Sequence, residues 1–167
     1  MTPIERINSK ILDYNSLKHQ LAEWKTNKEI IVFTNGCFDI LHCGHIDYLA
    51  KAKTLGSKLI IGINSDLSIS RIKGKSRPIQ DEKSRQMLLA ALEFVDAVVL
   101  FGEDTPYQLI EIVQPDVLVK GADYQEEEIV GYDIVKAKGG KVRTIAFLDG
   151  YSTSNIIAKI IKDNSVL

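Results

Sequence analysis

Apolar positions fall in five short runs along the chain: EIIVFTN (29–35), KLIIGIN (58–64), DAVVLF (96–101), DVLVKG (116–121) and KVRTIAF (141–147). Each is rich in β-branched residues and barely interrupted by polar ones, the pattern of strands covered on both faces. Between the runs the spacing turns helical. HIDYLAKAKTLG closes on Gly56, DEKSRQMLLAALEF opens at Asp81 as an N-cap, and TPYQLIEIV carries Pro106 near its start. EEEIVGYDIVKAKGG closes on Gly139 and Gly140, and a last helix runs from near Ser152 through NIIAKIIK. This alternation predicts a Rossmann-like α/β fold: a doubly wound sheet of about five parallel strands with helices on both faces. SLKHQLAEW, ahead of the first strand, predicts an added amphipathic helix, so the chain divides into an N-terminal helical extension (1–27) and a main domain (28–167). The one long irregular stretch is SDLSISRIKGKSRPIQ, residues 65–80.

Composition narrows the partners. A chain of 167 residues can bury one full core without disulfide or metal staples. With 21 Lys and Arg against 22 Asp and Glu, the net charge of -1 gives no electrostatic reason for binding nucleic acid or anionic lipid. No nucleic-acid or membrane partner is expected, and any phosphate binding must be local. No apolar run approaches the ~20 residues of a membrane span, and MTPIERINSK lacks the apolar region of a secretory signal. A cytoplasmic location is therefore expected, with Cys37 and Cys43 as free thiols.

In open α/β sheets, ligands bind beyond the carboxyl ends of the strands, at the switch point between the two halves. The segments after the first, second, fourth and fifth predicted strands share that rim. After the first strand, TNGCFDILHCGH lacks the G-x-G-x-x-G of dinucleotide-binding folds. In its place Gly44 permits close backbone approach, and the start of the next helix can aim N–H groups at an anion. His42 and His45 flank it and can hydrogen-bond phosphoryl oxygens, stabilising charge that develops in an in-line displacement. Ser152, Thr153 and Ser154 open the last helix, so hydroxyls and unpaired N–H groups converge there on one anion; capping by Ser152 or Thr153 is compatible with that role. Lys73, Lys75 and Arg77 alternate within a loop punctuated by Gly and Pro, and Arg85 comes early in the following helix. A solvated charge run is the plain reading of such a loop, but its place at the rim predicts a lid, with Lys73, Arg77 and Arg85 as phosphate contacts. Asp66, just past the second strand, reads as a turn or cap residue. Cys37, His42, Cys43 and His45 are all zinc-ligand types, yet structural zinc sites use separated pairs and His42 adjoins Cys43, so the thiols read as packing residues and no metal ligand is assigned.

Several blocks in order, FTNGCFDILHCGH, GINSD, RIKGKSRPI, EDTPYQLIEIVQPDVLVKGADY and STSNIIAKI, cover roughly residues 28–162. Together they resemble the cytidylyltransferase-like superfamily of HxGH nucleotidyltransferases, above all the heptose 1-phosphate adenylyltransferases of lipopolysaccharide-core precursor synthesis. The resemblance implies that residues 28–167 form a nucleotidyltransferase domain. His42 and His45 would hold the triphosphate, Ser152 to Ser154 would meet its β and γ phosphates, and Asp39 would lie on the substrate side. Asn35, Gly36, Cys37, Phe38 and Gly44 would line the nucleotide, with Gly121 and Asp123 beside its base or ribose and Tyr124 close by. The implied reaction moves AMP from ATP to a sugar 1-phosphate, D-glycero-D-manno-heptose 1-phosphate, giving ADP-heptose and pyrophosphate. Mg2+ would accompany ATP, a separate sugar kinase would supply the 1-phosphate because the segment before the first strand is far below domain size, and the chain would form a homodimer.

Two alternatives stand beside it. Glycerol 3-phosphate cytidylyltransferases share HxGH but typically carry RTEGIST, whereas this chain has FLDGYST with Phe147 where that motif has arginine, and a phosphate fork is not replaced by a phenyl ring. Tyr151 is itself a small departure from the DGCST of the heptose enzymes. A non-catalytic nucleotide-binding module is the alternative of another class, since a fold by itself establishes no activity.

Overall fold

The computed structural model describes residues 1–164. Six parallel strands form one sheet: β1 (Ile11–Leu12), β2 (Ile31–Gly36), β3 (Lys58–Asn64), β4 (Ala97–Phe101), β5 (Val117–Gly121) and β6 (Lys141–Ile145), in the order β1-β4-β3-β2-β5-β6. The five longer strands coincide with the five apolar runs. The sixth, β1, has only two residues and pairs with β4 through Ile11–Val98 and Leu12–Val99. A two-residue strand has no periodicity to read, and so the expected sheet of about five strands gains an edge.

Eight α-helices surround the sheet: α1 (Pro3–Asn8), α2 (Tyr14–Thr26), α3 (Cys43–Lys53), α4 (Asp66–Lys73), α5 (Glu82–Ala90), α6 (Tyr107–Val113), α7 (Tyr132–Ala137) and α8 (Thr153–Asn164). Side chains alternate across the strands into two cores, as a sheet buried on both faces requires. Ile31, Phe33, Ile60, Val99 and Leu118 pack against α2, α6 and α7. Val32, Leu59, Ile61, Val98 and Val119 pack against α3 and α5 on the other face. The N-terminal segment feeds both cores: Ile7 and Ile11 pack against the second, and α2 belongs to the first. Leu17 and Leu21 of α2 are buried there with Trp24, and each such leucine contributes roughly 1.5–3 kcal/mol.

Two segments depart from the expected pattern. The first half of the stretch read as irregular, 65–80, is α4: Ser65 is its N-cap and accepts from the Ser68 N–H, and Gly74 with φ 96° ends it. Only Ser68 and Ile69 of this helix are buried, so its apolar stripe is too thin to stand out. The second is the expected helix over EEEIVGYDIVKAKGG, which is a 3₁₀ turn at Glu126–Glu128 followed by α7. Gly131 divides the two at φ 90°, and a Cβ there would meet Ile110 at 2.7 Å, so the break needs glycine for its dihedral and for its space.

Candidate active site

The sheet order runs outward from β2 in both directions, and the reversal between β2 and β5 opens a crevice beyond their carboxyl ends. A cavity of about 460 Å³ occupies it. Asn35, Gly36, Cys37, Phe38 and Asp39 line it from the end of β2, Gly121 and Asp123 from the end of β5, and His45, Lys73, Arg77 and Thr153 from the surrounding helices and loops.

The imidazoles sit at the start of α3. His42 is its extended N-cap, and its side chain makes no capping bond. The His42 ring instead stacks on His45, with centroids 3.8 Å apart and planes 21° apart, while Phe38 meets His45 edge-on at 5.2 Å. Gly44 is buried between them: a Cβ there would lie 3.1 Å from the His42 ring and from Tyr151 Cβ. Both Nδ1 atoms are buried without a hydrogen-bond partner, as are Asn35 Oδ1 and Gln80 Oε1. An unpaired buried polar atom costs roughly 1–3 kcal/mol, and two of these four lie on the imidazoles at the start of α3, which marks a place built for something polar. Burial pushes the His42 imidazole below its ordinary pKa. At His45 burial and the neighbouring His42 and Lys73 charges outweigh the Ile40 backbone and bring the value down to about 4. Both rings are therefore neutral near pH 7, and each offers one N–H.

Asp39, expected on the substrate side, is spent within the protein. Its carboxylate accepts from Arg77 Nε at 2.7 Å, from the Ile79 N–H at 2.9 Å and from the Gln80 N–H at 2.8 Å. Burial alone would raise its pKa, but the Gln80, Ile79 and Arg77 donors outweigh that and hold it below the usual carboxylate value. The residue fastens the end of the 74–80 loop to the β2–α3 turn. That loop is accordingly tied at one end, since Ser70 Oγ also donates to the Arg77 carbonyl at 2.7 Å.

Arg85, expected as a phosphate contact, is not one. It is fully buried, and its guanidinium donates to the Gln80 carbonyl at 3.1 Å, the Cys37 carbonyl at 2.8 Å and Asp66 Oδ1 at 2.8 Å. The planar fork fits these acceptors and leaves none of its charge facing the cavity. Asp66 thus serves as the partner of Arg85 at the first position of α4. Asp39 and Arg85 together staple three segments around the cavity floor: the β2–α3 turn, the end of the 74–80 loop and the start of α4.

Among the residues of STS only Thr153 lines the cavity. Ser152 caps α8, its Oγ accepting from the Asn155 N–H at 3.0 Å, and Ser154 is exposed outside the lining. On the β5 side the Phe147 ring lies directly against Gly121, where any side chain would collide with it. Phe147 also packs on Tyr48 at 5.6 Å, and Tyr48 hydroxyl pairs with Thr34 Oγ1 at 2.8 Å. Burial pushes the Tyr48 phenol up to about 12. Tyr48 and Lys120, which the sequence reading passed over, both line the cavity. Lys120 carries a sequence signal, a lone cation at the carboxyl end of an apolar strand; Tyr48 looks like any other apolar position of an amphipathic helix.

Among the described residues no three His, Cys, Asp or Glu side chains come together in a way that could hold a metal ion. No helix of the described chain is long and apolar enough to cross a membrane. Cys37 and Cys43 are free thiols.

Comparison with known proteins places this geometry. The cytidylyltransferase-like family model matches residues 33–159. The bifunctional protein HldE of Citrifermentans bemidjiense is 51% identical over 92% of this chain, and that of Wolinella succinogenes is 51% identical over 90%. The chain spans 32% and 31% of those relatives' own lengths. Among solved structures, a lipopolysaccharide core biosynthesis protein from Thermoplasma volcanium GSS1 is 36% identical with a TM-score of 0.63, covering 72% of this chain and 99% of its own. Pantoate-beta-alanine ligase from Francisella tularensis, at 19% identity and a TM-score of 0.60 over 94% of this chain and 79% of its own, shares the fold alone. With stacked HxGH imidazoles at the head of α3, a cavity at the switch point and a family match across most of the domain, the chain belongs to the cytidylyltransferase-like family.

Proposed function

We propose that the chain transfers AMP from ATP to a sugar 1-phosphate, D-glycero-D-manno-heptose 1-phosphate, releasing pyrophosphate and forming ADP-heptose. The observation that carries the reading is the pair of neutral, stacked imidazoles whose buried Nδ1 atoms lack partners beside the switch-point cavity. In the reaction an oxygen of the sugar phosphate attacks the α-phosphorus, the bond from that phosphorus to the bridging oxygen breaks, and pyrophosphate leaves with the electron pair. A phosphate monoester is already largely ionised near neutral pH, so no strong general base is needed. Positioning and charge stabilisation carry the rate. In this reading His42 and His45 donate N–H bonds to oxygens that gain charge, Thr153 meets the polyphosphate, and Asp123 lies by the base or ribose.

Magnesium would arrive with the triphosphate. The carboxylates lining the cavity do not fit an all-protein cage, because Asp39 is committed to Arg77, Ile79 and Gln80 and no three candidate ligands cluster among the described residues. An ATP-dependent reaction on a phosphosugar fits a cytoplasmic location, a sugar kinase must supply the acceptor, and a homodimer is the assembly we propose. The test is a matrix of ATP, CTP, GTP and UTP against sugar and polyol phosphates, assayed for pyrophosphate release. Turnover confined to ATP with heptose 1-phosphate is expected; turnover of CTP with glycerol 3-phosphate would replace the reading with the cytidylyltransferase alternative, and ATP binding without turnover would leave a binding module.

A further inference from the structure

Lys120 is the penultimate residue of β5, directly after three buried residues, Val117, Leu118 and Val119. It is half-buried at the switch point and lines the cavity, yet it makes no ion pair with any described carboxylate. Its contacts are the Asn35 carbonyl, at 3.5 Å the outer limit of a hydrogen bond, and the Tyr124 ring, 5.6 Å from its Nζ. Four other lysines, Lys51, Lys53, Lys58 and Lys138, each sit on an aspartate or glutamate. The remaining cations of the cavity are also placed differently. Arg77 is tied to Asp39, and Lys73 stands exposed at the end of α4.

Taking an ammonium out of water without a counter-charge is expensive, and an apolar residue at this position would avoid the cost. Burial lowers the Lys120 pKa against the opposing pull of Cys37 and Asp123. The adjacent Asn35 offers its carbonyl to Lys120 while its side-chain oxygen remains buried and unpaired. The group that would satisfy an unpaired ammonium facing a cavity is an anion entering that cavity.

We propose that Lys120 binds the phosphoryl oxygens of a substrate within the switch-point cavity. The inference rests on the nucleotidyl-transfer reading of that site and names a phosphate contact beyond the HxGH and STS segments. The α-phosphate of the nucleotide and the phosphate of the acceptor are two sources of the same chemistry, and the experiment separates them. A charge-assisted bond of this kind contributes roughly 10- to 100-fold in affinity or turnover.

Wild type, Lys120→Met, Lys120→Gln and Lys120→Arg are compared by circular dichroism, by calorimetric binding of Mg–ATP and of heptose 1-phosphate, and by steady-state kinetics. The expected result is a native spectrum with a roughly 10- to 100-fold loss for Met and Gln and partial recovery for Arg, which restores charge in a different shape. Loss of ATP affinity alone assigns the nucleotide, and loss of heptose 1-phosphate affinity, or a rise in its KM alone, assigns the acceptor. Should Lys120→Met fail to fold, the Gln and Arg variants carry the same comparison. Wild-type affinity for both probes with wild-type kcat in the Gln and Met variants overturns the proposal, as does a wild-type protein that binds neither probe. A wild type that binds Mg–ATP but never releases pyrophosphate removes the transfer reading, while the binding arm still decides Lys120.

Discussion

At the scale of single residues, the two imidazoles of the site are uncharged near pH 7. Stacking at 3.8 Å would set two positive rings against each other, and burial removes the water that could screen them. His45 accordingly titrates near 4, below the unperturbed value of about 6.5. Its folded pKa is depressed, so its contribution to stability is complete above about 6.5 and is lost as the pH falls through that value toward 4. An NMR titration of the unliganded protein should give His45 a midpoint near 4; one near 6.5 would contradict the buried, neutral ring. His42→Ala or His45→Ala should lower kcat by about a hundredfold or more, the usual loss for one preorganised donor, while the unfolding midpoint barely moves. Near-normal turnover in both would take them out of the reaction. HxGH was readable from one chain because its glycine and two histidines open a helix after a strand. Arg85 was misread there for a physical reason: a basic side chain looks alike in sequence whether its partners are phosphates outside or carbonyls within. Asp39 lines the cavity as expected, but the partners that take up its acceptors, amides of the distant residues Ile79 and Gln80, were not legible.

At the scale of elements, the cavity wall is held by polar bonds between loops. Arg85, from the first turns of α5, reaches the Cys37 carbonyl of the β2–α3 turn and Asp66 of α4. Removing its guanidinium leaves two backbone carbonyls without that donor. The Asp66 side chain is 37% exposed, so water would meet part of its need. Arg85→Met should therefore cost about 2–3 kcal/mol and lower Tm by roughly 4–10 °C. Turnover should fall with it because the turn bearing Phe38 loosens, and Arg85→Lys should recover only part, lacking the planar fork. An unchanged denaturation midpoint would show that the staple is idle. The strands from β2 to β5 were legible because both-sided burial leaves apolar, β-branched runs, and the edge strand β6, buried only in part, was legible from Val142, Thr144 and Ile145. β1 and α4 were not: one is a pair of residues, and the other buries only two of its eight. The helix expected across Gly131 failed because a single left-handed dihedral, invisible to periodicity, divides it.

At the scale of the whole molecule, the doubly wound order puts every relevant carboxyl end on one rim and leaves one crevice between β2 and β5. The N-terminal segment adds an edge strand and two helices to that body, and none of them reaches the crevice lining. The start of α3 brings His45 with His42 stacked on it, β5 brings Lys120 and Gly121, and the start of α8 brings Thr153. These parts suit transfer of a nucleotidyl group, in which the α-phosphorus changes partners and nothing is transferred through the protein covalently. The most direct measurement follows the label. With ATP carrying 32P at the α position and heptose 1-phosphate as acceptor, the account predicts that all transferred label appears in the nucleotide sugar. With 32P at the γ position, it predicts that the label appears in pyrophosphate alone. Label from the γ position in the sugar product, or α-labelled AMP or ADP released without a nucleotide sugar, would contradict it.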